Sequence, residues 1–188
     1  TYHSAEVIYK TLADGSIEKR TGKKRPGNVA LAAAIKYKYN IEVIPHIICS
    51  GQNKEETENT LIDLHFLGIN NLFVLRGDPP KGTRIFVPKE DGHEHTVDLM
   101  EQINRMNKGI YLDENLKDAE KTQFSMGVAG YPEKHFEAPN MASDMKFLKL
   151  KVEQGAEYIV TQMFFDNQKY YDFVKRCREE GINVPIVP

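Results

Sequence analysis

The chain has 188 residues, with 25 Lys plus Arg against 27 Asp plus Glu and a formal net charge of -2. Hydrophobic residues make up 40% and charged residues 28%, the balance of a globular protein able to bury one sizeable core. The near neutrality argues against nucleic acid or an anionic membrane as the main partner, since either usually needs a basic face, while a small acidic ligand needs only a few local lysines.

Thr1-Tyr2-His3-Ser4 has neither the charged start nor the apolar centre of a signal peptide. No window approaches the ~20 apolar residues of a membrane span. The chain starts without Met and ends at Val187-Pro188 inside an apolar run, which reads as a fragment of something longer. Leu12–Pro26 is polar and lysine-rich, a loop or hairpin turning at Asp14-Gly15. A helix is expected over Asn28–Tyr39, and then a strand over Ile41–Cys49. Lys54–Leu67 follows as a helix: Thr60, Leu61, Leu64 and Leu67 return at helical spacing. Asn53 is its N-cap, and Glu55, Glu56 and Glu58 suit the positive end of the macrodipole.

Asn71–Leu75 is the next strand. Val87–Thr96 and Asn107–Gln123 read as polar connections. Phe124–Ala129, Tyr158–Phe165 and Val184–Val187 read as strands, separated by helices over Met141–Gln154 and Gln168–Glu180. Gly68, Gly155 and Gly181 each close a helix shortly before a strand. The strands are nearly continuous apolar runs, as in parallel sheets buried on both faces. No internal repeat or domain boundary is visible, so residues 1–188 form a single domain.

Strands alternating with crossover helices build a doubly wound sheet or a (β/α)₈ TIM barrel. The Gly-x-Gly-x-x-Gly of a dinucleotide-binding first strand is missing. The polar residues collect at the C-terminal ends of several different strands, where barrels assemble their sites. The α/β fold class expected is therefore a (β/α)₈ barrel, incomplete in this chain. Five strands are visible, about strands three to seven, and about three more would be needed to close it.

Leu75-Arg76-Gly77-Asp78-Pro79-Pro80-Lys81-Gly82 follows a strand and places opposite charges at its mouth, as a cofactor site requires. Gly130-Tyr131-Pro132-Glu133-Lys134-His135 supplies an aromatic, a carboxylate, an amine and an imidazole after the next strand. Gln162 is an amide within an apolar run. Burying it alone would cost a few kcal/mol, so it is expected to face a ligand or a polar network. Phe164-Phe165 reads as core or pocket wall. His93 and His95, near Asp91 and Glu94, are spaced like metal ligands, but one His-x-His in a polar loop reads first as a mobile segment. Cys49 and Cys177 read as buried, reduced thiols of a cytoplasmic protein.

Taken in order, Pro45-His46, Leu75-Arg76-Gly77-Asp78, Tyr131-Pro132-Glu133-x-His135-x-Glu137-Ala138, Lys151-Val152-x-x-Gly155-Ala156 and Thr161-Gln162-x-Phe164-Phe165-Asp166 resemble the methylenetetrahydrofolate reductase family across nearly the whole chain. The resemblance implies a flavoprotein barrel holding FAD. Such an enzyme uses NADH or NADPH to reduce methylenetetrahydrofolate to methyltetrahydrofolate by ping-pong hydride transfer. It implies FAD contacts at Thr1, Tyr2, His46, Arg76, Gly77, Asp78, Tyr131, His135, Ala138, Asp144 and Lys151, and more loosely at Thr96. Substrate contacts fall on Thr1, Asp78 and Gln162, with Asp78 and Gln162 the catalytic pair and no metal. The family's general-acid glutamate would precede Thr1.

Leu150 and Phe147 depart from the arginine and asparagine of some members, and Met163 from a common aromatic. The partners expected are a small-molecule folate and copies of the same chain in a homo-oligomer. Other readings are a metal-dependent barrel hydrolase using His46, His135, Asp78 and the His93/His95 loop; a non-catalytic flavin- or folate-binding barrel; and an FAD barrel of the proline dehydrogenase kind.

Overall fold

The computed structural model describes residues 6–22, 26–79 and 85–188. Thr1 and Tyr2, and the Pro80-Lys81-Gly82 end of the charged turn, lie outside them. β1 (Glu6–Thr11) and β2 (Ile17–Gly22) form an antiparallel hairpin. Its turn is the Asp14-Gly15 expected: Gly15 has φ +82°, and Asp14 Oδ1 accepts from the Ser16 backbone N–H at 2.9 Å. That turn bond and the Ser16 hydroxyl hold the Asp14 carboxyl below its usual range.

The main body alternates α1 (Asn28–Tyr39), β3 (His46–Ile48), α2 (Lys54–Phe66), β4 (Asn71–Leu75), α3 (Thr96–Asn107), β5 (Ser125–Gly130), α4 (Met141–Glu153), β6 (Ala156–Thr161), α5 (Asn167–Glu179) and β7 (Ile186–Val187). The five strands β3 to β7 are all parallel and lie side by side in sequence order. A doubly wound sheet reverses its strand order at a switch point; this one does not. Right-handed crossovers in unreversed order put every helix on one face. The result is five consecutive strands of a (β/α)₈ barrel, with the other face its interior.

The helix-side face carries the core. Leu72, Val74, Met126, Val128 and Ile159 pack with Leu61, Leu64, Leu99, Ile103, Phe173 and Cys177, all essentially without solvent contact. On the interior face, the register aligns His46 with Phe73, Phe73 with Gly127 and Gly127 with Tyr158. The Tyr158 ring lies over β5, and its hydroxyl donates to the Leu72 carbonyl of β4 at 3.0 Å. Only a glycine permits this: a Cβ on Gly127 would sit 2.1 Å from that ring.

Several bounds shift from those expected, each for a local reason. β3 begins at His46 and not at Ile41, because Pro45 has no N–H for the ladder; its carbonyl still accepts from Phe73 N at 3.0 Å. β6 ends at Thr161 and not at Phe165. Its partner strand ends at Gly130, and the last rung is Gln162 N–H to Gly130 O at 2.7 Å. Phe165 is 93% exposed, so it is not core, while Phe164 stacks on Tyr170 at 5.4 Å.

α3 is absent from the helices expected above, although Leu99, Met100, Ile103 and Met106 are buried along it at helical spacing. Asn53 caps α2 in a full capping box with Glu56. Gly68, Gly155 and Gly181 all adopt positive φ after their helices, as expected. Both cysteines are buried and free, with burial pushing Cys49 up to about 12 and Cys177 to about 11. Among the described residues, no helix is long and apolar enough to cross a membrane.

Gly127→Ala is expected to destabilise the protein by about 1–3 kcal/mol, the usual cost of overpacking. Adding Tyr158→Val should recover part of the loss. Urea unfolding midpoints of the three proteins check this; equal midpoints for the wild type and the alanine variant would contradict the packing described.

Candidate active site at the strand ends

β4 delivers Arg76, Gly77 and Asp78 directly past its C-terminal end. Gly77 has φ +88°, and a Cβ there would lie 3.0 Å from the Ser50 Cβ and 3.3 Å from Ile48 Cδ1. The turn thus packs against the end of β3 in a conformation that favours glycine. Arg76 does not pair with Asp78. Its guanidinium forms an ion pair with Glu137, in the loop between β5 and α4, and lies over the Phe86 ring at 5.1 Å. Asp78 stays exposed at the rim.

The loop after β5 is tightly built. His135 N–H donates to Asp144 Oδ2, in the first turn of α4, at 2.9 Å. Glu137 N–H donates to His135 Nδ1 at 3.2 Å, leaving the ring proton of the neutral histidine on Nε2. Tyr131 meets the His135 ring edge-on at 4.6 Å, and Phe136 stacks on it at 4.7 Å. Lys134, at φ +87°, donates to the carbonyls of His135 and Ala138 and so closes the turn.

The electrostatics tie these residues into one cluster. Burial raises the Tyr131 hydroxyl pKa, and Asp144 and Asp78 raise it further, against Arg76. Burial lowers His135, opposed by the carboxylates of Glu137 and Asp144. Burial also lowers Lys151, opposed by Asp144 and reinforced by Arg76. Arg76, Asp78, Tyr131 and His135 past the ends of β4 and β5 therefore lie within electrostatic reach of Asp144 and Lys151 on α4. The Lys151 amine has no hydrogen bond or ion pair among the described residues.

Other residues singled out in the sequence stand differently. His46 lies one register level below the rim, its ring 4.9 Å from Phe73, with its pKa lowered by burial. Gln162 is exposed, not buried in an apolar strand, because β6 has already ended. Its N–H bond to Gly130 holds it beside Tyr131. Beneath it, Thr161 Oγ1 is buried without a partner among the described residues. Thr96 is buried as the first residue of α3, and among the described residues its side chain makes no hydrogen bond to the cluster. Ala138 is half-buried in the same turn as His135. Glu137 was quoted in the sequence motif without a role; its contact with Arg76, 61 residues away, has no local signature.

The His93 segment is not a mobile loop. His93 is 3% exposed, and its Nε2 bonds Gln102 Oε1 at 2.5 Å, while Gln102 Nε2 donates to the Lys54 carbonyl. Among the described residues, no group of three or more His, Cys, Asp or Glu could hold a metal.

Fold and rim together define the class: a (β/α)₈-barrel segment with a polar, mixed-charge site at the C-terminal ends of neighbouring strands. The sequence description of methylenetetrahydrofolate reductase matches residues 14–188. The chain is 39% identical over 157 residues to "Methylenetetrahydrofolate reductase (NADH) 1" of Arabidopsis thaliana, covering 79% of this chain and 24% of that protein. It is 36% identical over 157 residues to the protein of the same name in Zea mays, again 79% and 24%. It is 34% identical over 160 residues to "Probable methylenetetrahydrofolate reductase (NADPH)" of Caenorhabditis elegans, 85% and 22%. The chain belongs to the methylenetetrahydrofolate reductase family, and spans about a quarter of the length of these relatives.

Burial lowers the pKa of His46, His93 and His135 below the ordinary 6.5. Between their folded values and 6.5 the unfolded chain binds more protons, so stability rises with pH there. Their contribution is complete above about 6.5 and is lost as pH falls through the folded values. Urea midpoints from pH 8 to pH 5 should drop on the acid side, and the His135 ring should titrate below 6.5 by NMR. A His135 titration above 6.5 would contradict its burial.

Proposed function

We propose that the protein is a flavoprotein oxidoreductase that reduces methylenetetrahydrofolate to methyltetrahydrofolate with NADH or NADPH, and that residues 1–188 are part of its single catalytic barrel domain. The observation that carries the reading is the cluster itself: Arg76 and Asp78 after β4 and Tyr131 and His135 after β5 lie within electrostatic reach of Asp144 and Lys151 on α4. Membership of the family supplies the substrate class.

The residues present fit FAD. Lys151 is an amine without a partner among the described residues, close enough to Arg76 to feel its charge; two cations suit a pyrophosphate. Gly77 keeps its turn free of a side chain, and Tyr131 and His135 offer ring surfaces. Thr161 Oγ1 is a buried polar atom still lacking a bond. His46, Arg76, Gly77, Asp78, Tyr131, His135, Ala138, Asp144 and Lys151 would hold the cofactor, with Thr1 and Tyr2 completing it and Thr96 more remote. When bound, FAD supplies the hydride carrier between nicotinamide and folate, which take turns at one place.

The protein's part is placement and charge. Asp78 keeps a carboxylate at the rim, where it stabilises positive charge on the folate and disfavours negative charge beside it. Gln162, standing at the open end of β6, donates and accepts at the pterin edge or at the nicotinamide amide. Neutral His135 presents Nε2–H as a donor. The buried free thiols suit a reducing compartment, the cytoplasm.

Asp78→Asn should retain FAD, raise its midpoint potential and slow the folate half-reaction more than the NAD(P)H half-reaction. Gln162→Ala should weaken folate with little loss of flavin. Stopped-flow half-reactions of the full-length protein check both. Equal slowing of the two halves by Asp78→Asn, or unchanged folate affinity in Gln162→Ala, would contradict these roles.

A further inference from the structure

Arg76 is held from two directions. The Glu137 carboxylate pairs with its guanidinium, and the Phe86 ring lies beneath it at 5.1 Å. Glu137 also acts through its backbone, donating N–H to His135 Nδ1 at 3.2 Å. One residue of the β5–α4 loop therefore fixes the cation after β4 and the tautomer of the imidazole after β5. Without the carboxylate, Arg76 would stand near Lys151 and His135 with less compensation; its charge already opposes protonation of both. A flexible arginine in that setting would swing away from the Lys151 cation.

We propose that Glu137 is a positioning residue for the anionic part of the cofactor, acting through Arg76. Its carboxylate occupies one side of the planar guanidinium and Phe86 one face, which leaves the remaining N–H donors at a fixed angle to the rim. An arginine offers five N–H donors in a rigid fork, so a partner on one side still leaves donors for a phosphate on another. This proposal rests on the flavin-binding reading above. It adds that affinity depends on how Arg76 is held, as well as on its presence.

The test is a double-mutant cycle on FAD affinity in the full-length protein, with the apoprotein titrated with FAD and followed by flavin fluorescence. Glu137→Ala should weaken FAD about tenfold, the scale of one charge-assisted hydrogen bond. Glu137→Gln, which keeps the shape and loses the charge, should weaken it in the same direction. Arg76→Ala should weaken FAD by at least as much. The Arg76→Ala/Glu137→Ala double variant should be no weaker than Arg76→Ala alone, because Glu137 then has nothing left to position. Losses that multiply in the double variant would overturn the proposal in favour of a general structural role. Tighter FAD binding by Glu137→Ala would also overturn it, showing that the carboxylate competes for the arginine. A Glu137→Ala variant that binds FAD as tightly as the wild type removes this inference alone. A wild-type protein that binds no FAD removes the functional reading and this inference with it.

Discussion

The backbone ladder from β3 to β7 is the constraint on which the site depends. Parallel strands paired in unbroken sequence order must all end on the same side of the sheet. His46 beside Phe73, Val74 beside Val128 and Gly130 beside Thr161 leave no freedom in where the next residues emerge. Arg76 and Asp78 leave β4, Tyr131 leaves β5 and Gln162 leaves β6 along one rim. Residues far apart in sequence meet there because the backbone ladder between neighbouring strands fixes the register. Gly127 takes part in the same constraint, since the Tyr158 ring can bridge β6 and β4 only across a strand without a side chain at that level.

The rim is electrostatically tense by construction. A tyrosine, a histidine and a lysine are all shifted toward their neutral forms by burial, while three carboxylates and an arginine lie within reach. Half-buried ion pairs of this kind contribute little net stability, about 0–1 kcal/mol for exposed cases. Their value lies in direction: each pair fixes where a donor or charge points. The loop from Tyr131 to Ala138 does this with hydrogen bonds and an ion pair, through Lys134 to the carbonyls of His135 and Ala138, His135 to Asp144, and Glu137 to both His135 and Arg76. A solvated loop would show few such bonds.

Much of this was legible in the sequence, and the limits have physical causes. The capped helix from Lys54, the glycine stops at 68, 155 and 181 and the Asp14-Gly15 turn were readable because each follows from local backbone chemistry. The strand-end location of Arg76, Asp78 and Tyr131 followed from the alternation of apolar runs and helices. Strand ends at Ile41 and Phe165 were misplaced because hydrophobicity reports burial, whereas a ladder needs a partner and an N–H; Pro45 lacks the second and Phe165 the first. Gln162 was placed inside the strand by the same error. The α3 helix was missed although Leu99, Met100, Ile103 and Met106 carry its period, since polar segments flank it on both sides. His93 read as a loop residue because its bond to Gln102 requires the helix to be recognised first. The Arg76–Glu137 pair was beyond any local reading, as only the sheet register brings those segments together.

The central claim is that side chains from separate strand ends jointly grip one flavin. Its most direct measurement is the visible absorption spectrum of the purified full-length protein, before and after incubation with FAD and removal of the excess. The account predicts a protein-bound flavin band in the blue, with one FAD per chain. It also predicts that replacing Lys151 with alanine lowers occupancy at the same FAD concentration. A colourless protein that retains no FAD after reconstitution would contradict it.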